Sequence, residues 1–455
     1  MSDLQDHVSD LLAEYQVPGA AVGILHRGET TEFALGVTDV TTGERVRTDT
    51  VFQCGSMTKT WTALAFMRLV DEGKVGLDEP VRTYLPGFRI ADPDVSARVT
   101  PRHLLNHTNG IEEAFGDPGE GDDVYERMVE NIVDANQVHP LGHTHGYSAA
   151  LGYAILARVM EVVGGRRWDD LLTERLFGPM GLTSTTSRPD RVDPERAATG
   201  HVLRSRDEGP VVSPVPHLPR AYGPGGGVCA TVGDVLTTAH VLLAGGVAPN
   251  GTRIVSAERV HELRTSRVPV PDPYMFGPEW ALGLIVCDWH GETVYATDGS
   301  TIGQNARLRL LPDSDTAVAV LTNGGPRESF GRAVFNRVLA ELGPTRVPDL
   351  PEPDPTLRLD PSRYEGVYER PGTRLEVTAR DGNLFLTHTL DPVHAQFLGK
   401  PDQLRYPLLP VSETHFLMPS DDPLEDTQTV AIYDFAGGAA RYLHTNCRVH
   451  PRSVA

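Results

Sequence analysis

The chain has 455 residues, of which 40% are hydrophobic and 22% charged, and its formal net charge is −20. An acidic excess of this size disfavours nucleic acid and anionic membranes as partners. No apolar run reaches the length of a transmembrane helix, and the length of the chain indicates two or three domains.

The number and spacing of the cysteines indicate the cellular compartment. Four cysteines are scattered along the chain: Cys54, Cys229, Cys287 and Cys447. They show neither metal-ligand spacing nor a disulfide framework, and the first residues lack the basic and apolar regions of a secretory signal. We therefore expect a cytoplasmic protein without a metal centre or cofactor.

The first predicted elements are a helix and a hairpin. Apolar periodicity predicts an amphipathic helix over residues 4–15, which ends at Val17-Pro18-Gly19. Two strands, over residues 20–25 and 31–37, are predicted next, with a turn at Arg27-Gly28.

The segment around Ser56 carries the strongest chemical signal. An extended run over residues 50–53 is followed by Gly55, which permits a sharp turn, and then by helical periodicity from Ser56 to residue 70. Ser56 and Lys59 therefore share one helix face. Ser56 stands at the helix N-terminus, where free N–H groups favour developing negative charge.

Lysine is rare in this chain, at positions 59, 74 and 400 only, and the other basic residues are arginines. Arginine stays protonated, whereas a desolvated lysine readily loses its proton. The alternative is a serine N-cap followed by an exposed lysine, since S-x-x-K alone is a weak pattern. Lysine scarcity favours Ser56 as a nucleophile with Lys59 as its base.

The middle of the chain, residues 60–290, is predicted to be mostly helical with many Pro and Gly breaks. Strand signals return over 280–289, 294–296, 306–311 and 316–322, and a helix is predicted over 330–342. Because both ends of this segment contribute strands, we expect one antiparallel sheet closed by its N- and C-terminal pieces.

A proline-rich stretch over residues 343–361 is predicted to be an extended, stiff linker. Short strand signals follow, over 365–369, 373–379, 384–388, 429–433 and 441–444. Their spacing favours a small all-β barrel or sandwich. The predicted domains are thus 1–342, a linker over 343–361, and 362–455.

Several sequence blocks occur in one order along the first of these domains. They are residues 17–22, 52–59 and 100–110, Tyr147-Ser148-Ala149, residues 223–227 with Asp234, and Asp298-Gly299-Ser300. Together they resemble the serine β-lactamase and penicillin-binding-protein superfamily, in its class C-like branch of esterases, D-amino acid peptidases and transacylases. The resemblance implies an α+β fold, with an antiparallel sheet flanked by helices and a helical subdomain. The C-terminal segment resembles the lipocalin-like β domain of some members.

The resemblance also implies roles for individual residues. Ser56 would attack a carbonyl and become acylated, and Lys59 would take its proton. Tyr147 would relay that proton to the leaving group and later activate the acceptor. A phenol qualifies only if a neighbouring cation lowers its pKa, and Lys59 is the available cation. The backbone N–H groups of Ser56 and Ser300 would form the oxyanion hole.

Two positions depart from the family pattern. Ala149 stands where an asparagine is usual, and Thr297 stands where a lysine or histidine is usual. With Asp298 and Gly299 these are the expected substrate-binding positions. Both departures count against ordinary β-lactam or peptidoglycan processing, and they fit an unusual acyl donor or an intermediate intercepted by an amine or alcohol.

Weaker candidates have simpler interpretations. His143 and His145 could be metal ligands, but a third ligand cannot be placed, so we interpret them as part of a loop that lines the pocket. Residues 223–227 lack the Lys-Ser/Thr of a phosphate loop and are expected to let backbone pass close to the site. Cys54 has no adjacent histidine, which favours a packed side chain.

The leading functional hypothesis is a serine acyltransferase that acts on a small molecule of specialised metabolism, such as a peptide or nucleoside antibiotic. Its partners would be a small-molecule acyl donor and an amine or alcohol acceptor, and its oligomeric state stays open. An esterase or amidase with the same chemistry is the first alternative. A non-catalytic ligand-binding homologue is the second.

Overall fold

The computed structural model describes residues 2–203, 205–390, 402–420 and 426–453. Its helices are α1 (Ser2–Glu14), α2 (Thr58–Asp71), α3 (Val81–Tyr84), α4 (Pro93–Arg98), α5 (Pro101–Leu105), α6 (Val124–Asn131), α7 (Leu151–Gly164), α8 (Trp168–Leu172), α9 (Gly178–Met180), α10 (Gly223–Gly226), α11 (Val232–Leu243), α12 (Ala257–Thr265) and α13 (Glu328–Leu342).

The strands fall into two large sheets and two short pairs. They are β1 (Gly19–His26), β2 (Glu29–Gly36), β3 (Phe52–Gln53), β4 (His201–Leu203), β5 (Pro210–Val212), β6 (Cys229–Ala230), β7 (Val268–Pro269), β8 (Glu279–Trp280), β9 (Ile285–Trp289), β10 (Glu292–Ser300), β11 (Asn305–Leu311), β12 (Thr316–Thr322), β13 (Gly366–Arg370), β14 (Thr373–Arg380), β15 (Asn383–Thr389), β16 (Gln403–Pro410), β17 (His415–Met418), β18 (Gln428–Ala436), β19 (Ala439–Thr445) and β20 (Arg448–Pro451).

The first sheet joins the two ends of the first 342 residues. Its strand order is β2-β1-β12-β11-β10-β9-β8-β7, and β1 pairs antiparallel with β12. Alternate residues of β1 pack into two hydrophobic cores, one on each face of the sheet, because successive side chains point to opposite faces of a strand. Ala21 packs with α2 and α11 on one face, and Ala20 packs with α1 and α13 on the other. The predicted closed antiparallel sheet with flanking helices is confirmed.

The helices between β3 and β6 form the predicted helical subdomain around α7. This helix is buried along most of its length, and it packs against α2, α5, α6, α8 and α10. Its apolar sequence therefore reflects a central helix, because a helix that is hydrophobic all round has to be enclosed by protein.

The region predicted as a single strand over residues 280–289 is instead two strands, β8 and β9. They are separated at Gly283, whose φ is +80°, and an added Cβ there would lie 2.9 Å from Ala63 Cβ. Left-handed backbone of this kind interrupts a strand and favours glycine. The periodicity of the flanking residues carried no sign of the interruption.

The second sheet is a barrel of antiparallel neighbours in the order β13 to β20. A bridge between Tyr368 and Arg452 brings its first and last strands together, so the barrel is nearly closed. The predicted all-β C-terminal segment is confirmed. The sequence signals missed β16, which contains Pro407 and Pro410, and the four-residue strands β17 and β20. Proline and shortness both weaken a strand signal.

Residues 343–360 form neither helix nor strand. The segment is hydrogen-bonded to both parts of the chain. Val347 N donates to Asn336 Oδ1 of α13 at 2.8 Å, and Asp354 N donates to Pro410 O of β16 at 2.8 Å. The division of the chain at residues 342 and 361 stays a prediction. No helix in the described parts of the chain is long and apolar enough to cross a membrane.

Buried histidines line the contact between the barrel and the first 342 residues. We call them the histidine seam: His107, His139, His145, His444 and His450. The rings of His107 and His145 are 5.6 Å apart, and those of His145 and His444 are 6.1 Å apart. Both ring nitrogens of His145 lack a hydrogen-bond partner. Buried imidazoles therefore fill this part of the interface.

Acid should destabilise this interface. Burial lowers the pKa of His139 to about 4 and the pKa values of His444 and His450 to about 3. The exposed imidazoles of the unfolded chain take up protons below about pH 6.5, while the buried ones resist. Folding stability should therefore fall as the pH drops from about 6.5 towards 4, by about 2 kcal/mol for each histidine at about pH 5.

Thermal unfolding at several pH values measures this effect. In the variant His145→Phe, folding stability should fall less steeply as the pH drops, because burial also lowers the pKa of His145 well below its usual value. The exposed His261 supplies the control variant His261→Phe, which should keep the full decline. Equal pH dependence in both variants would contradict a role for the seam.

Candidate active site

Ser56 lies in a single turn of 3-10 helix, Gly55–Met57, between β3 and α2. Gly55 has φ +50°, and an added Cβ would lie 2.5 Å from Ser300 N. A Cβ on Gly299 would lie 2.6 Å from Ser56 N. The two glycines thus let the backbone of Ser56 and Ser300, the predicted oxyanion hole, meet side by side.

Lys59 lies one turn further along α2, with only 1% of its surface exposed. Its Nζ donates to Ala149 O at 2.9 Å and to Gly225 O at 2.8 Å, and it lies 3.5 Å from Ser56 Oγ. A neutral amine has two N–H donors and one lone pair. The two carbonyls take the donors, and the lone pair is left for the Ser56 hydroxyl.

The glycine-rich segment makes this arrangement possible. A Cβ on Gly225 would lie 2.4 Å from Ala149 O and 3.1 Å from Lys59 Nζ. Any larger residue would push the carbonyls away from the amine. This close passage agrees with the expectation that residues 223–227 bring backbone up to the site.

Electrostatics favour a neutral Lys59. Burial lowers its pKa to about 7; Glu113 acts in the opposite direction and Arg448 adds to the lowering. Desolvation penalises the charged form of an amine, which is why burial dominates. Near neutral pH about half of the molecules therefore hold a free amine, and Lys59 can act as a base.

Tyr147 is the third predicted member, and its hydroxyl hydrogen bonds with Ser56. Lys59 Nζ lies 4.7 Å from the centre of the Tyr147 ring, over its face. The expectation that Lys59 lowers the pKa of this phenol is wrong. Burial raises the pKa of Tyr147 above its usual value and outweighs the hydrogen bond from Ser56. Tyr147 is thus a protonated hydroxyl, suited to pass a proton rather than to abstract one.

The four expected substrate-binding positions divide into two groups. Asp298 and Gly299 reach the cavity in front of Ser56. Ala149 contributes its carbonyl to Lys59 instead. Thr297 is buried and accepts a hydrogen bond from Thr60 Oγ1 at 2.9 Å, so its side chain lies away from the cavity.

The cavity at Ser56 has a volume of about 310 Å³. It is lined by Ser56, Tyr147, Met275, Phe276, Asp298, Gly299, Ser300, Arg327, Asn446, Cys447 and Arg448. Asn446 and Cys447 form the turn between β19 and β20 of the barrel, and Arg448 begins β20. Tyr147 N donates to Cys447 O at 2.9 Å, which ties the barrel to the catalytic segment.

Sequence reasoning missed Met275, Phe276, Arg327 and the barrel turn. Asn446 carried a signal for a turn, since asparagine tolerates the left-handed backbone seen there with φ +48°. Its place beside Ser56 depends on how the barrel docks, which leaves no trace in local sequence.

The cavity carries an excess of positive charge. The Asp298 carboxylate is held by Arg309, with Nη2 2.9 Å from Oδ2, and by Arg307 at 3.5 Å. Glu328 contacts Arg307 and Arg327. Two carboxylates thus meet three arginines behind the cavity wall, and of the charged residues that line the cavity two are cations, Arg327 and Arg448, and one is the anion Asp298. An anionic substrate group would be favoured here.

The weaker candidates do not form a second centre. His143 Nε2 lies 2.9 Å from Asp434 Oδ2 of the barrel, and His145 belongs to the seam, so both face the barrel rather than the cavity. Among the described residues no three His, Cys, Asp or Glu side chains are placed to hold a metal ion. Cys54 is fully buried and burial raises its pKa, so it stays an unreactive thiol.

The Beta-lactamase family profile matches residues 4–342. The chain belongs to this family of serine hydrolases, and its fold is that of a β-lactamase-like enzyme. It is 40% identical over 372 residues to "Penicillin-binding protein 4" of Amycolatopsis lactamdurans, covering 81% of this chain and 97% of that protein.

Two other relatives cover more of the chain. "Unguisins hydrolase ungD" of Aspergillus violaceofuscus is 24% identical over 448 residues, covering 85% of this chain and 78% of that protein. The crystal structure of SurE has a TM-score of 0.78 and 26% identity, covering 99% of both chains. A further SurE structure, with D-Leu, has a TM-score of 0.77 and 25% identity over the same share. The likeness to SurE therefore includes the barrel.

Replacing Lys59 tests its role as the base. Lys59→Arg keeps the charge but supplies a group that stays protonated, so we expect acylation of Ser56 by an activated ester to fall about a hundredfold or more. The rate of adduct formation is measured by intact mass. Lys74→Arg, at an exposed position, is the control and should react normally. If Lys59→Arg retained more than about a tenth of the rate, a barrier difference of only about 1.4 kcal/mol, the assignment would be wrong.

The charges around Lys59 give a second test. Acylation should decline as the pH falls through about 7, because Lys59 becomes protonated. Arg448→Gln removes a cation and should move this decline to higher pH. Glu113→Gln removes a carboxylate and should move it to lower pH, while its carbonyl can still accept from Ala150 N.

The pH profile of acylation separates this electrostatic effect from simple structural damage. Damage would lower the rate at every pH without moving the midpoint. Arg374→Gln, at an exposed barrel position, is the control. Midpoints of the two site variants that shift in the same direction would contradict the proposed tuning.

Proposed function

We propose that the protein is a serine acyltransferase. It takes an acyl group from an ester or amide of a small molecule of specialised metabolism, such as a peptide or nucleoside antibiotic, and passes it to an amine or alcohol. The observation that carries this proposal is a complete Ser56–Lys59–Tyr147 arrangement enclosed by a barrel turn and two arginines. The amide- and carboxylate-binding groups usual for β-lactam processing are missing at positions 149 and 297.

Acylation begins with neutral Lys59. Its amine takes the Ser56 hydroxyl proton as Oγ bonds to the carbonyl carbon of the donor. The oxyanion that forms is stabilised by the N–H groups of Ser56 and Ser300. The bond from carbon to the leaving group then breaks, Tyr147 donates its proton to the leaving group, and Lys59 returns a proton to Tyr147. The products are acyl-Ser56 and the protonated leaving group.

Transfer repeats these steps with the acceptor. The acceptor's nitrogen or oxygen attacks the acyl carbon and loses its proton to Lys59. The bond to Ser56 Oγ breaks, and Oγ regains a proton through Tyr147. A bound amine can outcompete far more concentrated water, because positioning makes the step effectively intramolecular.

The charges of the cavity indicate the substrate class. Arg327 and Arg448 both line the cavity in front of Ser56, and guanidinium groups bind carboxylates well. A donor or acceptor with a free carboxylate, such as an amino acid or short peptide, would satisfy them. The SurE structure with D-Leu supports this class, because D-Leu is itself an amino acid.

Hydrolysis is the second candidate, with water as the acceptor. The relative named as an unguisins hydrolase supports it. A purely ligand-binding homologue is less well supported, since the hydrogen bonds that hold a neutral Lys59 beside Ser56 have no use in a binder. We also propose a cytoplasmic location, supported by four cysteines that are all unpaired and buried.

Intact-mass measurement decides among these functions. We expect an activated ester of an N-acylated amino acid to modify the protein once, and Ser56→Ala to remain unmodified. The adduct should persist in buffer and disappear quickly when an amino acid amine is added, with the amide as product. Fast loss in buffer that no amine changes would leave the hydrolase. The absence of any adduct would leave the binder.

Position 149 offers a further prediction. Ala149→Asn adds an amide beside the carbonyl that holds Lys59 and restores a group able to position water or a substrate amide. Hydrolysis should rise relative to transfer, as measured by the ratio of acid to amide product. Ala149→Val is a control that adds volume without a polar group. An unchanged product ratio in Ala149→Asn would show that this departure does not govern acceptor choice.

A further inference from the structure

The barrel is solid at one end and hollow at the other. At the solid end Leu384 and Leu408 pack with other apolar residues. Further along the same strands, inward-facing residues among those described line a partly open cavity of about 320 Å³, including Leu375, Leu386, His388 and Tyr406. That is space for roughly ten groups the size of a water molecule.

The hollow end is the one that faces Ser56. Asn446 and Arg448 line the barrel cavity, and they also line the cavity in front of Ser56. The turn between β19 and β20 is therefore a shared wall of both spaces. The two cavities thus adjoin at Asn446 and Arg448.

The barrel cavity combines apolar and polar walls. Five leucine and methionine side chains line it together with polar and aromatic residues; the five are Leu375, Leu386, Leu390, Leu404 and Met418. His450 also lines it, is 2% exposed, and has an Nδ1 atom with no hydrogen-bond partner. Arg448 stands at the mouth.

We propose that the hollow end of the barrel binds the apolar chain of the acyl donor. The scissile carbonyl would lie at Ser56, the donor would pass Arg448, and its aliphatic chain or side chain would fill the barrel cavity. The inference rests on the proposed acyl chemistry for the identity of the ligand, but not for the existence of the cavity. The barrel would thereby select donors by the length of their chain.

Esters with one leaving group and acyl chains of increasing length test the proposal. The p-nitrophenyl esters of acetate, butyrate, hexanoate and octanoate should show kcat/KM rising about fourfold for each added CH₂ group until the cavity is full. Leu386→Trp fills the cavity from β15. It should lower the octanoate-to-acetate ratio by about tenfold or more.

Two further variants guard against misfolding and indirect effects. His388→Trp, at a half-buried cavity position, should also lower the ratio. Thr387→Trp lies between them in sequence but on the outward face of β15, and it should keep the wild-type ratio. Circular dichroism and thermal melts establish that each variant is folded. A folded Leu386→Trp or His388→Trp protein with the wild-type ratio would overturn the proposal.

Direct binding separates this inference from the function. The Ser56→Ala protein should bind decanoate at one site in calorimetry, and adding Leu386→Trp should abolish the binding. If no ester acylates Ser56 but decanoate still binds in this way, the acyl-transfer function fails and the cavity assignment survives. If esters acylate Ser56 without chain-length preference and decanoate does not bind, the cavity assignment fails and the function survives.

Discussion

The desolvated amine of Lys59 is the interaction on which the site depends. Two backbone carbonyls, from Ala149 and Gly225, hold the amine beside Ser56 and compensate its two N–H donors. Because this environment contains no carboxylate in direct contact, burial lowers the pKa to about 7. The carbonyls of Ala149 and Gly225 must both approach Lys59 Nζ. This requirement explains the glycine at position 225 and the position of α7, which begins two residues after Ala149.

The barrel is part of this site rather than an appendage. Its turn supplies Cys447 O, which fixes the backbone of Tyr147, and Arg448, whose charge acts on Lys59. The contact that carries the turn is lined by the buried histidine seam and includes polar bonds such as that between His143 and Asp434. Burial in this contact links barrel docking to the pKa of Lys59.

Family membership does not by itself fix the substrate of this protein. The profile match over residues 4–342 and the likeness to "Penicillin-binding protein 4" place the chain among β-lactamase-like serine hydrolases. In our proposal the residues that differ, Ala149 and Thr297, affect the choice of substrate and acceptor rather than nucleophile activation. Thr297 is used inside the protein, bonded to Thr60. The proposed recognition groups are Arg327 and the barrel residue Arg448, which both line the cavity.

The sequence by itself determined the closed sheet, the all-β C-terminal part and the residues Ser56, Lys59, Tyr147 and Ser300 that meet at the cavity. These are encoded in local periodicity, turn chemistry and short motifs, which depend on neighbours in sequence. Only the tertiary structure decided that Tyr147 remains a phenol, that His143 and His145 face the barrel, and that residues 446–448 line the cavity. Burial and docking bring together residues about 300 positions apart, and desolvation is a property of that packed environment rather than of any local stretch of chain.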